Sequence, residues 1–183
     1  MRVTRIVLGM IGAIVLTGCL VSETPVLTST NGNATPLKSG SYDICEIDAD
    51  GGENDCESNQ ITVDETGLYF FTANEERVIE VRFRRVGRGG YATQVQDGED
   101  GYLYYYAYGA SPSFFMKMMF CEHLPQKLRD RLIKRGDLSI ENDDNNVCKV
   151  NTLRGLKAAA KAYRQGSAIG DEEAVLIIKP AVE

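Results

Sequence analysis

From Gly40 to Cys121 apolar and polar positions alternate with a period of two, and clusters of turn residues interrupt the alternation every eight to twelve positions. That pattern predicts antiparallel strands of a sandwich or barrel, one face to a core and one to water. The strands expected are Tyr42 to Ile47, Gln60 to Asp64, Leu68 to Ala73, Val78 to Val86, Tyr91 to Gln96, Tyr102 to Tyr108 and Phe114 to Cys121. Between Arg77 and Val86 the logic is explicit, with Ile79, Val81 and Phe83 on one face and Glu80, Arg82 and Arg84 on the other. Asp64-Glu65-Thr66-Gly67, Gly87-Arg88-Gly89-Gly90 and Asp97-Gly98-Glu99-Asp100-Gly101 supply reversals, because Gly accepts positive φ there.

After Cys121 the period becomes helical. Pro125 suits a first turn, Leu124, Leu128 and Leu132 recur every four residues, and Gly136 suits a left-handed end. A second helix is expected from Thr152 to about Gln165, capped by Asn151 or Thr152 and ended by Gly166, with Leu153, Leu156, Ala160 and Tyr163 on its buried face. The apolar run Ala174 to Ile178, before Pro180, predicts a closing strand. No helix alternates with the strands, so the class is α+β: an antiparallel β-rich sandwich or barrel of about seven or eight strands with two amphipathic helices late in the chain.

The first residues follow neither pattern. Arg2 and Arg5 precede an apolar run from Ile6 to Leu16 that is shorter than the roughly 20 residues a membrane-crossing helix needs. It closes on Leu16-Thr17-Gly18-Cys19, which resembles the lipobox of bacterial lipoproteins. The resemblance implies that residues 1–18 are a signal peptide and that Cys19 becomes the first residue, with a diacylglyceryl group on its thiol and a further acyl chain on its amine. It also implies a cell-envelope protein whose partner is the membrane itself; Leu20 after the Cys favours the outer membrane, facing the periplasm, if the source is Gram-negative. Leu20 to Lys38 is rich in Ser, Thr, Asn and Pro, a composition expected of a mobile tether, so residues 19–39 form the anchor and tether and residues 40–183 one domain.

Charge and cysteine usage agree with export. Without Arg2 and Arg5 the chain has 18 basic residues against 26 acidic ones, a balance of −8, which disfavours a nucleic-acid partner. Apart from Cys19 there are four cysteines, an even number suited to an oxidising space, and pairing of Cys45 with Cys56 and Cys121 with Cys148 is expected because each joins neighbours around a polar loop. Charge is also divided along the chain: no Lys or Arg lies between Lys38 and Arg77, whereas the two helices are rich in both. That division predicts solvated helix faces or an approach to lipid phosphates.

Candidate chemistry is sparse. Residues 102–120 hold eight of the fifteen aromatics, and in a strand Tyr102, Tyr104, Tyr106 and Tyr108 share one face, either a ligand platform or the buried wall of a central hairpin. Asp48, Asp50 and Asp55 offer carboxylates to calcium, but the sixth position counted from Asp48 is Glu53 where an EF-hand needs Gly, and an acidic hairpin tip explains the same residues. The single histidine, His123, sits at a strand-to-helix junction, and no nucleophile elbow, phosphate loop, zinc-protease motif or cofactor signature marks a catalytic residue. The expectation is a non-catalytic envelope module that binds a protein, a glycan or a lipid. Gly40-Ser41-Tyr42 resembles the Gly-x-Trp that opens the first strand of small lipocalin-like barrels, though the chain has no Trp, and this implies a carrier of an apolar ligand as an alternative. A small hydrolase using carboxylates is the other.

Overall fold

The computed structural model describes residues 18–48, 50–73, 77–98, 101–110, 112–142, 147–166 and 175–181; the basic residues and apolar run of the signal segment lie outside them, as do Asp143 and Asp144 of the acidic stretch 141–144. Eight antiparallel strands close into a barrel: β2 (Gly40–Ile47), β3 (Glu53–Val63), β4 (Leu68–Ala73), β5 (Arg77–Gly87), β6 (Gly90–Asp97), β7 (Gly101–Ala110), β8 (Ser113–Met118) and β11 (Val175–Pro180). Neighbours in sequence pair from β2 through β8, and β11 fills the remaining gap between β8 and β2. A barrel was one of the two expected architectures. No helix among the described residues is long and apolar enough to cross a membrane.

Alternation sets the two faces. Val81 and Phe83 of β5, Tyr69 and Phe71 of β4, Tyr91 of β6, Tyr105 and Ala107 of β7, and Phe114 and Met116 of β8 point inward and form one buried cluster. Its rings meet mostly edge to face, as ring quadrupoles prefer. An eight-stranded barrel is just wide enough to be filled by side chains, and this one uses aromatic residues to do so.

A second cluster lies outside the wall. Helix α2 (Leu153–Arg164) packs Leu156, Ala159, Ala160 and Tyr163 onto the outer face of β5, β6 and β7, while α1 (Gln126–Lys134) buries Leu132 beside the strand Leu138–Asn142. The Thr152 hydroxyl caps α2 by accepting from Gly155 N at 3.1 Å, and Gly136 and Gly166 follow the two helices with φ of 69° and 66°, in the left-handed conformation expected of them. Gly155 fits for another reason, since a Cβ there would stand 2.6 Å from the Asp137 carbonyl oxygen. Gly155→Ala is therefore expected to destabilise by about 1–3 kcal/mol through overpacking, although Ala gains roughly 1 kcal/mol in an unobstructed helix. A denaturant midpoint that rises in this variant would contradict the close approach.

The barrel wall divides along one edge of β7. Residues 105–110 pair with β8, and Leu103 and Tyr102 pair with a short strand not anticipated from the alternation, β1 (Leu20–Ser22). Parallel pairing of β1 with β10 (Val147–Val150), which pairs with β9 (Leu138–Asn142), carries a three-stranded side sheet away from the barrel. The disulfide Cys121–Cys148 ties this side sheet to the segment after β8, and Cys45–Cys56 links β2 to β3 across a bulge in which Asp55 has φ of 43°. Both pairings are the expected ones.

Residues 20–38 are a strap and not the mobile tether expected from their composition. Leu20 and Leu27 are fully buried, Val26 packs on the outer cluster, and Ala34 and Leu37 pack against the barrel interior. From β1 the strap crosses the outer wall, where Gln94 binds its backbone, bridges from Asn33 to Phe83, and reaches β2 over Tyr69, whose hydroxyl accepts from Leu37 N at 3.2 Å and donates to Leu37 O at 2.7 Å. The few apolar residues in a polar stretch each meet a prepared niche. Ordering entropy is repaid by contacts with distant strands that composition does not reveal.

Candidate functional site: a cleft on the outer wall

Strand β7 has the two apolar faces that alternation predicts. Its inward residues complete the barrel core, and its outward tyrosines divide between wall and cleft. Tyr104 is fully buried, with its hydroxyl 2.6 Å from Ser22 Oγ. Tyr106 lies under α2, 6.4 Å between centroids from Tyr163, and stacks on Tyr108 at 5.6 Å; Tyr108 in turn stacks on Phe115 at 5.2 Å. These rings present their faces to one another, which leaves no flat platform. Tyr104 and Tyr106 are buried wall, under the strap and under α2 respectively, and Tyr102 lines a cleft.

That cleft, of about 260 Å³, lies between the strap and the outer wall. Pro25, Leu27, Thr28 and Ser29 form one side, and Leu68, Glu80, Arg82, Gln94 and Tyr102 of β4 to β7 form the other. Register explains the grouping: Leu68, Arg82 and Gln94 lie in one cross-strand row, while Glu80 and Tyr102 belong to the adjacent row. The Arg82 guanidinium donates to Thr66 O at 3.1 Å and Thr66 Oγ1 at 3.3 Å, which holds it at the rim. Leu27 and Leu68 give an apolar floor, Tyr102 an amphipathic edge, and Arg82 with Glu80 a donor and an acceptor. The volume falls below the roughly 300–1,000 Å³ usual for larger ligands, so one sugar ring or a residue or two of peptide is the matching size.

Sequence patterning marked Glu80 and Arg82 only as the solvent face of a strand. The strap that makes that face one side of a cleft is visible only in three dimensions. Gln94, at 4% exposure, is buried by the same strap, and no feature of the chain marks it.

The remaining candidates lie away from the cleft. His123 lies at the entry to α1 as expected, its Nδ1 3.4 Å from the Tyr163 hydroxyl, which accepts from Phe120 N at 2.8 Å. Asp137 is the one fully buried carboxylate among the described residues. It accepts from Thr152 Oγ1 at 2.7 Å and from the Arg154 guanidinium at 2.8–3.0 Å, and these hydrogen bonds hold its carboxyl below the usual range. Asp48, Asp50 and Asp55 do not converge; the close acidic and thiol group among the described residues is Cys45, Glu53 and Cys56, whose two sulfurs are already joined to each other. Cys19 is buried, with Sγ 3.3 Å from Met118 Sδ.

Burial pushes the hydroxyls of Tyr69 and Tyr104 up to about 12 from an ordinary 10.0. Between those values the unfolded chain has lost protons that the folded chain keeps, so their contribution to stability is whole below pH 10 and is lost as the pH rises toward 12. Urea midpoints should fall across that window, and Tyr104→Phe should flatten the fall. A midpoint unchanged from pH 9 to about 11.5 would mean that these hydroxyls are wet.

No protein-family model, no curated protein and no solved structure matches this chain.

Proposed function

We propose that this protein is a lipid-anchored, non-catalytic binding module of a bacterial cell envelope, outer-membrane and periplasm-facing in a Gram-negative source. Its ligand site is the cleft between strap and outer wall. Leu16-Thr17-Gly18-Cys19 supports the anchor. The observation that carries the binding site is the contrast between an interior occupied by Tyr69, Phe83, Tyr91 and Phe114 and an open cleft outside it, lined by Arg82, Glu80 and Tyr102. A small polar ligand from the envelope, a glycan unit or a peptide end, fits its mixture of charged rim and apolar floor.

The closed eight-stranded wall favours one other reading, a carrier of an apolar molecule inside the barrel. That reading requires the ring cluster to move aside. Titration of the purified lipoprotein with mono- and disaccharides, with di- and tripeptides, and with a fluorescent fatty acid separates the two. Saturable binding of a polar probe, abolished by Arg82→Ala and Tyr102→Ala, supports the cleft. Saturable binding of the fatty acid alone, indifferent to both substitutions, would move the site indoors. Labelled palmitate incorporated by the wild type and not by Cys19→Ala tests the anchor.

A further inference from the structure

We infer that the protein lies flush on an anionic bilayer, with its helical side down and its acidic β2–β3 hairpin away from the lipid. This inference rests on acylation of Cys19. A free tether of nineteen residues, Leu20 to Lys38, would let the domain stand off by as much as roughly 65 Å. The fold removes that slack. Leu20 is fully buried, its N–H donates to Met119 O at 2.9 Å, and Val21 and Ser22 pair with β7. Cys19 is itself buried, bridged to Phe120 and with Sγ 3.3 Å from Met118 Sδ, so acyl chains require this one residue to turn outward, and one residue spans about 3.5 Å.

The anchored strand therefore decides which side faces the membrane. A Cβ on Gly18 would lie 3.0 Å from the Glu122 carboxylate, which places the exposed entry to α1 beside the acylated residue. Leu20 shares its cluster with Leu132 of α1 and Leu156 of α2, so both helices belong to the anchor's side. They expose Lys127, Arg131, Lys134, Lys161 and Arg164, against Asp130 and Glu122. Strand β3 is four strands from β7 in either direction around the barrel, and the β2–β3 hairpin exposes Glu46, Asp48, Glu53, Asp55 and Glu57. Lys179 meets Glu53, but no basic residue belongs to the hairpin. Charge is thus split across the barrel in the sense that draws the anchored side to anionic headgroups.

The test uses the acylated full chain in vesicles containing phosphatidylglycerol and headgroup-nitroxide lipid. A fluorophore is placed on Glu122→Cys or, on the opposite wall, on Thr62→Cys; eight strands spaced ~4.8 Å and tilted ~40° put the walls roughly 16 Å apart. Contact quenching is expected at position 122 and not at 62, in neutral vesicles as well as anionic ones. A fifteen-residue Gly-Ser insertion after Cys19 should abolish the difference in neutral vesicles and keep it in anionic vesicles at low salt only. Equal quenching at the two sites in vesicle-bound wild type overturns the flush orientation. Persistence of the difference in neutral vesicles after the insertion overturns the part assigned to the short anchor, and its loss in anionic vesicles at low salt overturns the part assigned to charge. Failure of the wild type to float with vesicles, together with no palmitate label, sinks the anchor reading instead.

Discussion

Phe83→Ala is expected to cost about 3–5 kcal/mol, much of the roughly 5–15 kcal/mol that holds a domain together. Phe83 is fully buried on β5, and its ring meets Tyr69 at 5.1 Å, Phe114 at 5.8 Å and Tyr91 at 6.3 Å, each edge to face. Four strands thus contribute to one ring cluster. Truncation removes the buried area of the ring and three aromatic contacts of about 0.5–1.5 kcal/mol each, and leaves a void that neighbours fixed to a closed wall cannot collapse to fill. Phe83→Leu should cost less, and Val78→Ala, at a position 56% exposed, should stay within about 0.5 kcal/mol. Urea denaturation monitored by circular dichroism reads all three. A cost below about 1 kcal/mol for Phe83→Ala would mean that the interior is loosely filled there, and the carrier reading would gain accordingly.

The parts of the fold visible in the chain are those written in local periodicity. Alternation from Ile79 to Phe83 places β5 and its inward face, and the four-residue spacing of Leu124, Leu128 and Leu132 places α1. Strand β3 begins at Glu53, earlier than its apolar pattern, because the acidic residues preceding Gln60 pair with β2 while facing water. Leu20–Ser22, Leu138–Asn142 and Val147–Val150 are too short to show a period and become strands only by meeting one another and β7. The tyrosine row had two structural solutions, platform or wall. The strap selects the wall for Tyr104, through Ser22, and helix α2 selects it for Tyr106, through Tyr163; both partners are distant in the chain, and no feature of residues 102–108 contains that choice.

Gln94→Ala is expected to release the strap. The Gln94 side chain acts as a three-way clamp: its Oε1 accepts from Val26 N at 2.8 Å and Leu27 N at 2.7 Å, and its Nε2 donates to Leu27 O at 3.2 Å. Alanine leaves two amides and a carbonyl without partners in a buried place, at about 1–3 kcal/mol for each. Detachment of the strap rehydrates them, so the measured cost has a ceiling set by what else holds residues 23–32, chiefly the burial of Leu27 and the donation from Arg84 to Asn31 O. A loss of roughly 3–5 kcal/mol in local stability follows, seen as fast hydrogen exchange at Val26 and Leu27 and as a new protease site in that loop, while the amides of β4 and β5 remain protected. Gln94→Glu separates the clamp's halves: a carboxylate keeps both acceptor contacts with the amides but sets its second oxygen against Leu27 O and buries a charge, so exchange at Leu27 should be faster than in the wild type. Because the strap forms one side of the cleft, the same Ala substitution should abolish binding of any ligand that Arg82 and Tyr102 hold. Slow exchange at Val26 and Leu27 in Gln94→Ala, with ligand binding intact, would mean that the strap is held by its apolar residues alone.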